Sequence, residues 1–230
     1  MELLLALLAA YAVGSIPAAY IAGQSRGVDL RKHGSGNLGA TNVFRVLGPR
    51  IGTAVFAFDM LKGAIPVVYF WRWVDPSTVS SIVVQILCGI AAIAGHVRPL
   101  WLGFSKGGKG VATAGGVFLA LAPIETLLAI AGFAIALLAS GYVSLGSLVA
   151  AVLLPVMLLI RGGAASPLFI LCAVIALFVF WMHRGNIDRL RQGTENRFGK
   201  KRGASRVSPV VIVVSVVAII AAYSAMWVKP

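Results

Sequence analysis

Three polar, glycine-rich and basic segments interrupt an otherwise apolar chain, and they hold the residue types that could do chemistry. They are the first patch (residues 34–42), the second patch (residues 104–113) and the third patch (residues 183–190). Each patch offers backbone N–H groups left accessible by glycine, hydroxyl or amide side chains, and cations, which together suit phosphate oxygens. The pattern predicts a phosphorylated ligand that is handled at a membrane surface.

The composition is that of an integral membrane protein. Of the 230 residues, 59% are hydrophobic and only 12% are charged, whereas soluble domains are about 25% charged. The net charge of +13 fits cytoplasmic loops or anionic lipid, and the placement of the basic residues in short loops disfavours nucleic acid. Cys88 and Cys172 stand alone in apolar runs and are expected in the core.

Eight apolar segments predict an all-helical bundle. In chain order they are residues 3–23, 51–70, 81–102, 111–122, 124–140, 142–160, 166–182 and 209–228. Pro123 separates the fourth from the fifth and should break or kink a helix there. Residues 111–122 alone would give about 18 Å of helix, so the two segments form either one long kinked span or two crossings.

The distribution of positive charge favours two crossings. With the N-terminus outside, residues 24–50, 103–110 and 183–206 then all face the cytoplasm, and they contain most of the Lys and Arg residues. A single crossing would move the most basic stretch to the opposite face from the other two patches. The predicted fold is therefore a polytopic all-α membrane bundle of seven core transmembrane helices plus an eighth at the C-terminus. All three patches face the cytoplasm in this topology.

The second patch resembles the start of a nucleotide-binding P-loop, but the resemblance fails in detail. Gly110 follows Lys109 where a Ser or Thr would hold Mg²⁺, and no strand precedes the loop. A more general role is predicted instead, in which the glycine N–H groups, Lys106, Lys109 and the N-terminus of the next helix form an anion cradle. A positive loop that merely fixes topology would need the lysines but not three glycines.

Isolated polar residues in the apolar segments have simpler interpretations. Asp59 and Lys62, three residues apart, are expected to form a structural ion pair. His96 and His183 lie near the cytoplasmic ends of two spans, and Asn186 near His183 favours a polar site there. No paired ligand spacing is present, so neither a metal nor another cofactor is predicted.

At these positions the chain resembles a known family, the bacterial acyl-phosphate-dependent glycerol-3-phosphate acyltransferases (PlsY). The matching motifs are Gly14-Ser15-Ile16-Pro17, Asp29-Leu30-Arg31, Gly34-Ser35-Gly36-Asn37 with Thr41-Asn42 and Arg45, Asp59 with Lys62-Gly63, Gly95-His96, residues 106–113, and His183 with Asn186, Arg189-Leu190, Gly193 and Glu195. They occur in order across about residues 11–198. The chain departs from the family after Phe198, where a basic stretch and a further apolar segment follow.

The resemblance implies an inner-membrane enzyme with its active site facing the cytoplasm. Residues 1–198 would be the acyltransferase domain, and residues 199–230 would add the basic stretch and the extra span. The implied reaction moves a fatty acyl group from acyl phosphate to the 1-hydroxyl of glycerol 3-phosphate, giving lysophosphatidic acid and phosphate. The implied partners are these two substrates, membrane lipids and, through functional coupling, the enzyme that makes acyl phosphate.

The patches supply the candidate site residues for that reaction. The predicted catalytic residues are Ser35, Arg45, His96, His183 and Asn186. The predicted substrate- and phosphate-binding residues are Gly34, Gly36, Asn37, Thr41, Asn42, Lys106, Gly107, Gly108, Lys109, Gly110 and Arg189. The resemblance favours glycerol 3-phosphate at the second patch.

Several alternatives stay open at the level of sequence. Either histidine could act as general base, although the donor phosphate accepting the proton itself is favoured. A transporter for phosphate esters, with half-helix N-termini binding the anion, is the main rival function, and a non-catalytic lipid-binding scaffold is another. The sequence sets neither the acyl-chain preference nor the oligomeric state.

Overall fold

A computed structural model describes residues 1–198 and 209–227 of the chain. This part of the chain contains α-helices, short 3-10 turns and loops, with no strand. It divides into two compact units, Met1–Leu121 and Ala122–Pro230. The first and second patches belong to the first unit, and the third patch belongs to the second.

The first unit is built from six helices. They are α1 (Glu2–Gly14), α2 (Ala18–Gln24), α3 (Ala40–Leu47), α4 (Pro49–Tyr69), α5 (Ser81–Val97) and α6 (Val111–Leu121). The predicted first span is broken between α1 and α2, because Pro17 has no N–H to continue the ladder. The short helix α3 lies within the stretch predicted as a polar loop.

Close helix packing in the first unit depends on small residues. A Cβ at Gly63 of α4 would overlap the backbone oxygen of Thr113 in α6, and one at Gly116 of α6 would lie 2.7 Å from the backbone carbon of Met60 in α4. Such contacts let two backbones approach without side chains between them, as is common for membrane helices. α6, which follows the second patch, is thereby fixed against α4.

Five helices form the described part of the second unit, residues 122–198 and 209–227. They are α7 (Pro123–Ser140), α8 (Val143–Gly162), α9 (Pro167–Met182), α10 (Arg184–Arg191) and α11 (Pro209–Trp227). Pro123 occupies the first turn of α7, where its missing N–H costs nothing. It therefore starts a new helix, and residues 111–140 are not one long kinked helix.

Six helical segments in the described ranges are long and apolar enough to cross a membrane. They are Glu2–Gln24, Pro49–Trp73, Ser81–Leu102, Pro123–Ser140, Val143–Gly162 and Val210–Trp227. The bent pair Pro167–Met182 and Arg184–Arg191, with an angle of 57° between its helices, would make a seventh, and Val111–Leu121 is a shorter apolar helix. The all-helical membrane fold is thus confirmed, while the count of seven crossings plus an eighth stays a prediction.

The C-terminal helix α11 is held by a buried polar cluster. Tyr223 of α11, which is 1% exposed, donates a 2.6 Å hydrogen bond to Glu125 Oε1 at the start of α7. Arg161 at the end of α8 lies 3.0 Å from the same oxygen. The segment predicted as an extra span is thus long and apolar enough to cross a membrane, and it also bonds a buried carboxylate at the start of α7. The basic stretch at 200–206 and the terminal Lys229-Pro230 lie outside the described residues.

We expect Tyr223→Phe to lower the stability of the protein. The substitution leaves the buried carboxylate of Glu125 without one donor, at a cost of about 1–3 kcal/mol. The midpoint of thermal unfolding in detergent would measure the loss. Ser224→Ala is the control, because the Ser224 hydroxyl bonds only the Ile220 carbonyl of its own helix. Equal midpoints for the two variants would show that the cluster does not hold α11.

Candidate active site

Asn42 holds the loop of the first patch together. Its Oδ1 accepts the Ser35 N–H at 2.8 Å, and its Nδ2 donates to the carbonyls of Leu30 at 3.2 Å and His33 at 3.0 Å. The side chain is 1% exposed. Gly34 has a φ of +64°, and a Cβ there would overlap Asn42 Oδ1. The amide of Asn42 is therefore used within the loop, and its assignment as a direct phosphate ligand stays a prediction.

The loop before the first patch carries its own ion pair. Arg31 Nε and Nη2 donate to the two carboxylate oxygens of Asp29 at 2.9 and 3.0 Å. The hydrogen bonds from the Arg31 side chain and backbone lower the pKa of Asp29 to about 2. The pair is therefore fully charged at neutral pH, and Arg31 is already paired with a carboxylate.

The remaining polar residues of the first patch are accessible to a ligand. Ser35 is exposed, while Asn37 and Thr41 are half-buried. Arg45, in the last turn of α3, is also exposed and forms no ion pair within the described ranges. A hydroxyl, an amide and a planar guanidinium are thus available near one another in sequence, and all can donate to phosphate oxygens.

The second patch folds back over the end of α5. The N–H of Gly107 donates to the Val97 carbonyl at 3.0 Å, and the N–H of Gly108 donates to the His96 carbonyl at 3.3 Å. These two bonds satisfy carbonyls that the helix end leaves unpaired. The predicted cradle of open glycine N–H groups is therefore wrong for these two residues.

The helix start and the lysines are the other groups of the second patch that suit an anion. Gly110 adopts a φ of +81° and its carbonyl accepts the N–H of Ala114 at 2.8 Å, which begins α6. Lys106 is exposed and Lys109 is half-buried. A helix N-terminus flanked by two cations still favours an anion.

The structure brings the first and second patches into contact. Asn37 Nδ2 lies 3.5 Å from the carbonyl oxygen of Gly107, seventy positions along the chain. The distance is at the long limit of a hydrogen bond, but it sets the two loops side by side. The first unit therefore presents one surface to which both predicted phosphate patches contribute.

Asp59 and Lys62 form the predicted ion pair, with Lys62 Nζ 2.7 Å from Asp59 Oδ1. His96 adds a third ionisable group, with its Nδ1 3.5 Å from the same oxygen. All three side chains are at most 5% exposed. His96, one of the two histidines considered as a general base, is thus buried.

The third patch is organised by an acidic residue of the second unit. Glu195, with a side chain 6% exposed, accepts hydrogen bonds from Ser144 at 3.0 Å, Asn186 at 2.6 Å and Arg189 at 2.7 Å. Arg189, predicted to bind phosphate, is thus ion-paired, and its charge is largely balanced by Glu195. His183 is 4% exposed, and its Nδ1 lies 2.8 Å from the Val179 carbonyl.

Glu195 and Ser144 received no role from the sequence. Glu195 belongs to the matching motifs, and a lone acid next to a basic stretch was a signal that it has cationic partners. Ser144 gave no signal, since serine near the start of a membrane helix is common.

The fold and the patches define an integral membrane protein with basic, glycine-rich loops. The family model for glycerol-3-phosphate acyltransferase matches residues 4–193 of the chain. The chain therefore belongs to the glycerol-3-phosphate acyltransferase family, and it is an acyltransferase of phospholipid synthesis.

Individual relatives agree with this assignment. The glycerol-3-phosphate acyltransferase of Geobacter sulfurreducens is 46% identical over 192 residues, covering 82% of this chain and 94% of the relative. The enzyme of the same name from Chlorobaculum tepidum is 39% identical over 226 residues, covering 85% and 97%.

Two solved structures of PlsY, an integral membrane glycerol 3-phosphate acyltransferase, share the fold. The glycerol 3-phosphate form superposes with a TM-score of 0.78 at 39% identity, covering 86% of this chain and 96% of that one. The lysophosphatidic acid form superposes with a TM-score of 0.75 at 38% identity, with the same coverage.

We expect Asn42→Ala to loosen the first-patch loop without removing a ligand contact. The Ser35 N–H loses its acceptor and two buried carbonyls lose a donor, so the local opening free energy should fall by about 1–3 kcal/mol. Hydrogen exchange of the Ser35 amide measures this directly. Thr41→Ala, at the neighbouring position, should leave that exchange unchanged. Unchanged protection in Asn42→Ala would mean that the amide is free for another role.

Proposed function

We propose that this protein transfers a fatty acyl group from acyl phosphate to the 1-hydroxyl of glycerol 3-phosphate. The products are lysophosphatidic acid and inorganic phosphate. The observation that carries the proposal is the contact of Asn37 with Gly107, because it joins two phosphate-suited loops in one unit. The solved PlsY structures, one a glycerol 3-phosphate form and one a lysophosphatidic acid form, support both the acceptor and the product.

Glycerol 3-phosphate is assigned to the second patch. Its phosphate lies at the N-terminus of α6 near Gly110, where the helix dipole is positive, with Lys106 and Lys109 as counter-charges. Gly107 and Gly108 act here through their lack of side chains, since their N–H groups are used on α5.

Acyl phosphate is assigned to the first patch. Arg45 binds the donor phosphate, because a planar guanidinium can donate two parallel hydrogen bonds to it. Ser35, Asn37 and Thr41 donate to the remaining phosphate oxygens. Gly34 and Gly36, which adopt φ values of +64° and +68°, keep the loop in the conformation that presents Ser35. The acyl chain extends into the apolar surroundings of the helices.

The reaction needs alignment and charge stabilisation more than a covalent nucleophile. The glycerol hydroxyl oxygen forms a bond to the acyl carbon, and the bond from that carbon to the phosphate oxygen breaks with its electron pair leaving on phosphate. The hydroxyl proton is taken up by the departing phosphate, so no cofactor enters the balance. Cations beside the phosphate stabilise the charge that develops there.

The third patch is assigned to the same chemistry. His183 and Asn186 contribute as polar groups of the catalytic machinery, and Glu195 fixes Asn186 and Arg189 through the hydrogen bonds described above. Arg189 is thus a positioning residue rather than a direct phosphate ligand.

The protein is assigned to the bacterial inner membrane with its active site towards the cytoplasm. The excess of Lys and Arg in residues 24–50 and 183–206 supports this orientation through the positive-inside rule. Acyl phosphate is a reactive mixed anhydride, which favours functional coupling to the enzyme that makes it.

The test is acyl transfer by the purified protein in detergent. With acyl phosphate and glycerol 3-phosphate, and with neither metal nor nucleotide, we expect lysophosphatidic acid and phosphate in equal amounts. Acyl-CoA or acyl carrier protein in place of acyl phosphate should give no product. Arg45→Ala should lose activity by about tenfold or more, whereas Arg50→Ala, at another exposed arginine, should retain it.

Three results would contradict the proposal or one of its assignments. Product from acyl-CoA but not from acyl phosphate would assign a different donor. Flux of glycerol 3-phosphate across liposomes, with no product in detergent, would favour the transporter. Equal loss in the Arg45 and Arg50 variants would mean that neither arginine is specific to the donor phosphate.

A further inference from the structure

The imidazole of His96 lies directly beneath the second patch. A Cβ built at Gly108 would overlap His96 Nε2 and lie 2.7 Å from Cε1 and 3.1 Å from Cδ2. The backbone of Gly108 therefore rests on the ring itself. A side chain at position 108 would overlap the imidazole. This contact therefore sets the distance between the loop and α5.

The other side of the imidazole faces a buried ion pair. His96 Nδ1 is 3.5 Å from Asp59 Oδ1, and that oxygen is 2.7 Å from Lys62 Nζ. Lys62 Nζ also donates a 2.8 Å hydrogen bond to the carbonyl of Ile16, in the break between α1 and α2. A series of contacts thus runs from this helix break to the glycine loop within the first unit, polar as far as the imidazole and steric from the imidazole to Gly108.

This arrangement is unsuited to a general base. A base must come within about 2.6–3.2 Å of the proton that it takes, or reach it through one water. His96 Nε2 faces the Gly108 backbone, and Nδ1 faces Asp59 with the side chain 5% exposed. The Nδ1 atom is therefore closed to a substrate hydroxyl, and the Nε2 edge is placed to support the loop.

We propose that Asp59, Lys62 and His96 are positioning residues that fix the height and register of residues 107–110. Lys109 lies within this segment, and α6 begins directly after it. The position of both relative to a bound phosphate therefore depends on the contact between Gly108 and His96. The substrate named in this inference rests on the proposed function. His96 acts through the loop and does not take a proton from the substrate.

The steric part of this arrangement offers a sharp test. Gly108→Ala forces the loop off the ring, and we expect the KM for glycerol 3-phosphate to rise by about tenfold to a hundredfold, with kcat changed by less than about threefold. His96→Ala removes the ring, so it should rescue Gly108→Ala and lower the KM of the double variant by at least about threefold. Asp59→Asn should raise the KM in the wild-type background and add little once His96 is alanine.

Two other glycines serve as controls. A Cβ at Gly107 would overlap the backbone oxygen of His96 and lie 2.9 Å from Pro99 Cδ, so His96→Ala should not rescue Gly107→Ala. A Cβ at Gly115 would meet only Met60 Cε at 3.8 Å, so Gly115→Ala should keep wild-type kinetics. If His96→Ala rescues Gly108→Ala but not Gly107→Ala, the effect is specific to the contact between residue 108 and the imidazole.

The thermal unfolding midpoints of the same variants test the inference without a measurement of enzyme activity. Gly108→Ala should melt lower than wild type, and the double variant with His96→Ala should recover part of the loss, whereas the Gly107 double variant should not. A wild-type protein without acyl transfer would overturn the proposed function but leave this comparison valid. A His96→Ala variant that loses kcat at unchanged KM, with no rescue of Gly108→Ala by either measurement, would overturn the inference and assign His96 to proton transfer.

Discussion

The surface formed by the first and second patches depends on one contact. The backbone of the second-patch loop packs directly against the end of α5. Gly107 and Gly108 donate their N–H groups to the carbonyls of Val97 and His96, and a Cβ at either glycine would overlap His96. The approach is possible only because both side chains are absent. It caps α5, leads into α6 and brings Gly107 beside Asn37 of the first patch.

The buried ionisable groups follow a common pattern, in which each acid has cationic or hydroxyl donors. Asp59 has Lys62, Glu125 has Arg161 and Tyr223, and Glu195 has Arg189, Asn186 and Ser144. An unpaired charge in an apolar bundle would be costly, so these clusters fix which helices can pack together. The cluster at Glu125 extends this pattern to α11, which lies beyond the region matched by the family model at residues 4–193.

Hydropathy and charge were sufficient to predict the membrane fold, because a helix that spans the bilayer needs about 20 consecutive apolar residues. Every predicted apolar segment contains a helix in the described ranges, including 111–122, which ends at Leu121 before Pro123. The break at Pro17 and the short helices α3 and α10 were not predicted. Their formation depends on local hydrogen bonds and contacts that an apolar profile does not contain.

The residue types of the site were also predictable, but their individual partners were not. Glycine, lysine and asparagine in the patches indicated phosphate chemistry, yet Asn42, Arg189 and the N–H groups of Gly107 and Gly108 are engaged within the protein. A motif shows which groups are present, whereas only the fold shows which are already paired. The sequence alone therefore could not separate the groups that are paired within the protein from those that are open to a ligand.

The central claim is that the second patch binds the phosphate of glycerol 3-phosphate, and calorimetric titration of glycerol 3-phosphate into the detergent-solubilised protein tests it most directly. Lys109→Ala removes a charge-assisted contact worth about 1.5–3 kcal/mol, so the affinity should fall by about tenfold to a hundredfold. Lys32→Ala, at an exposed lysine outside the patches, should bind as the wild type does. Equal affinity of wild type and Lys109→Ala would contradict the claim.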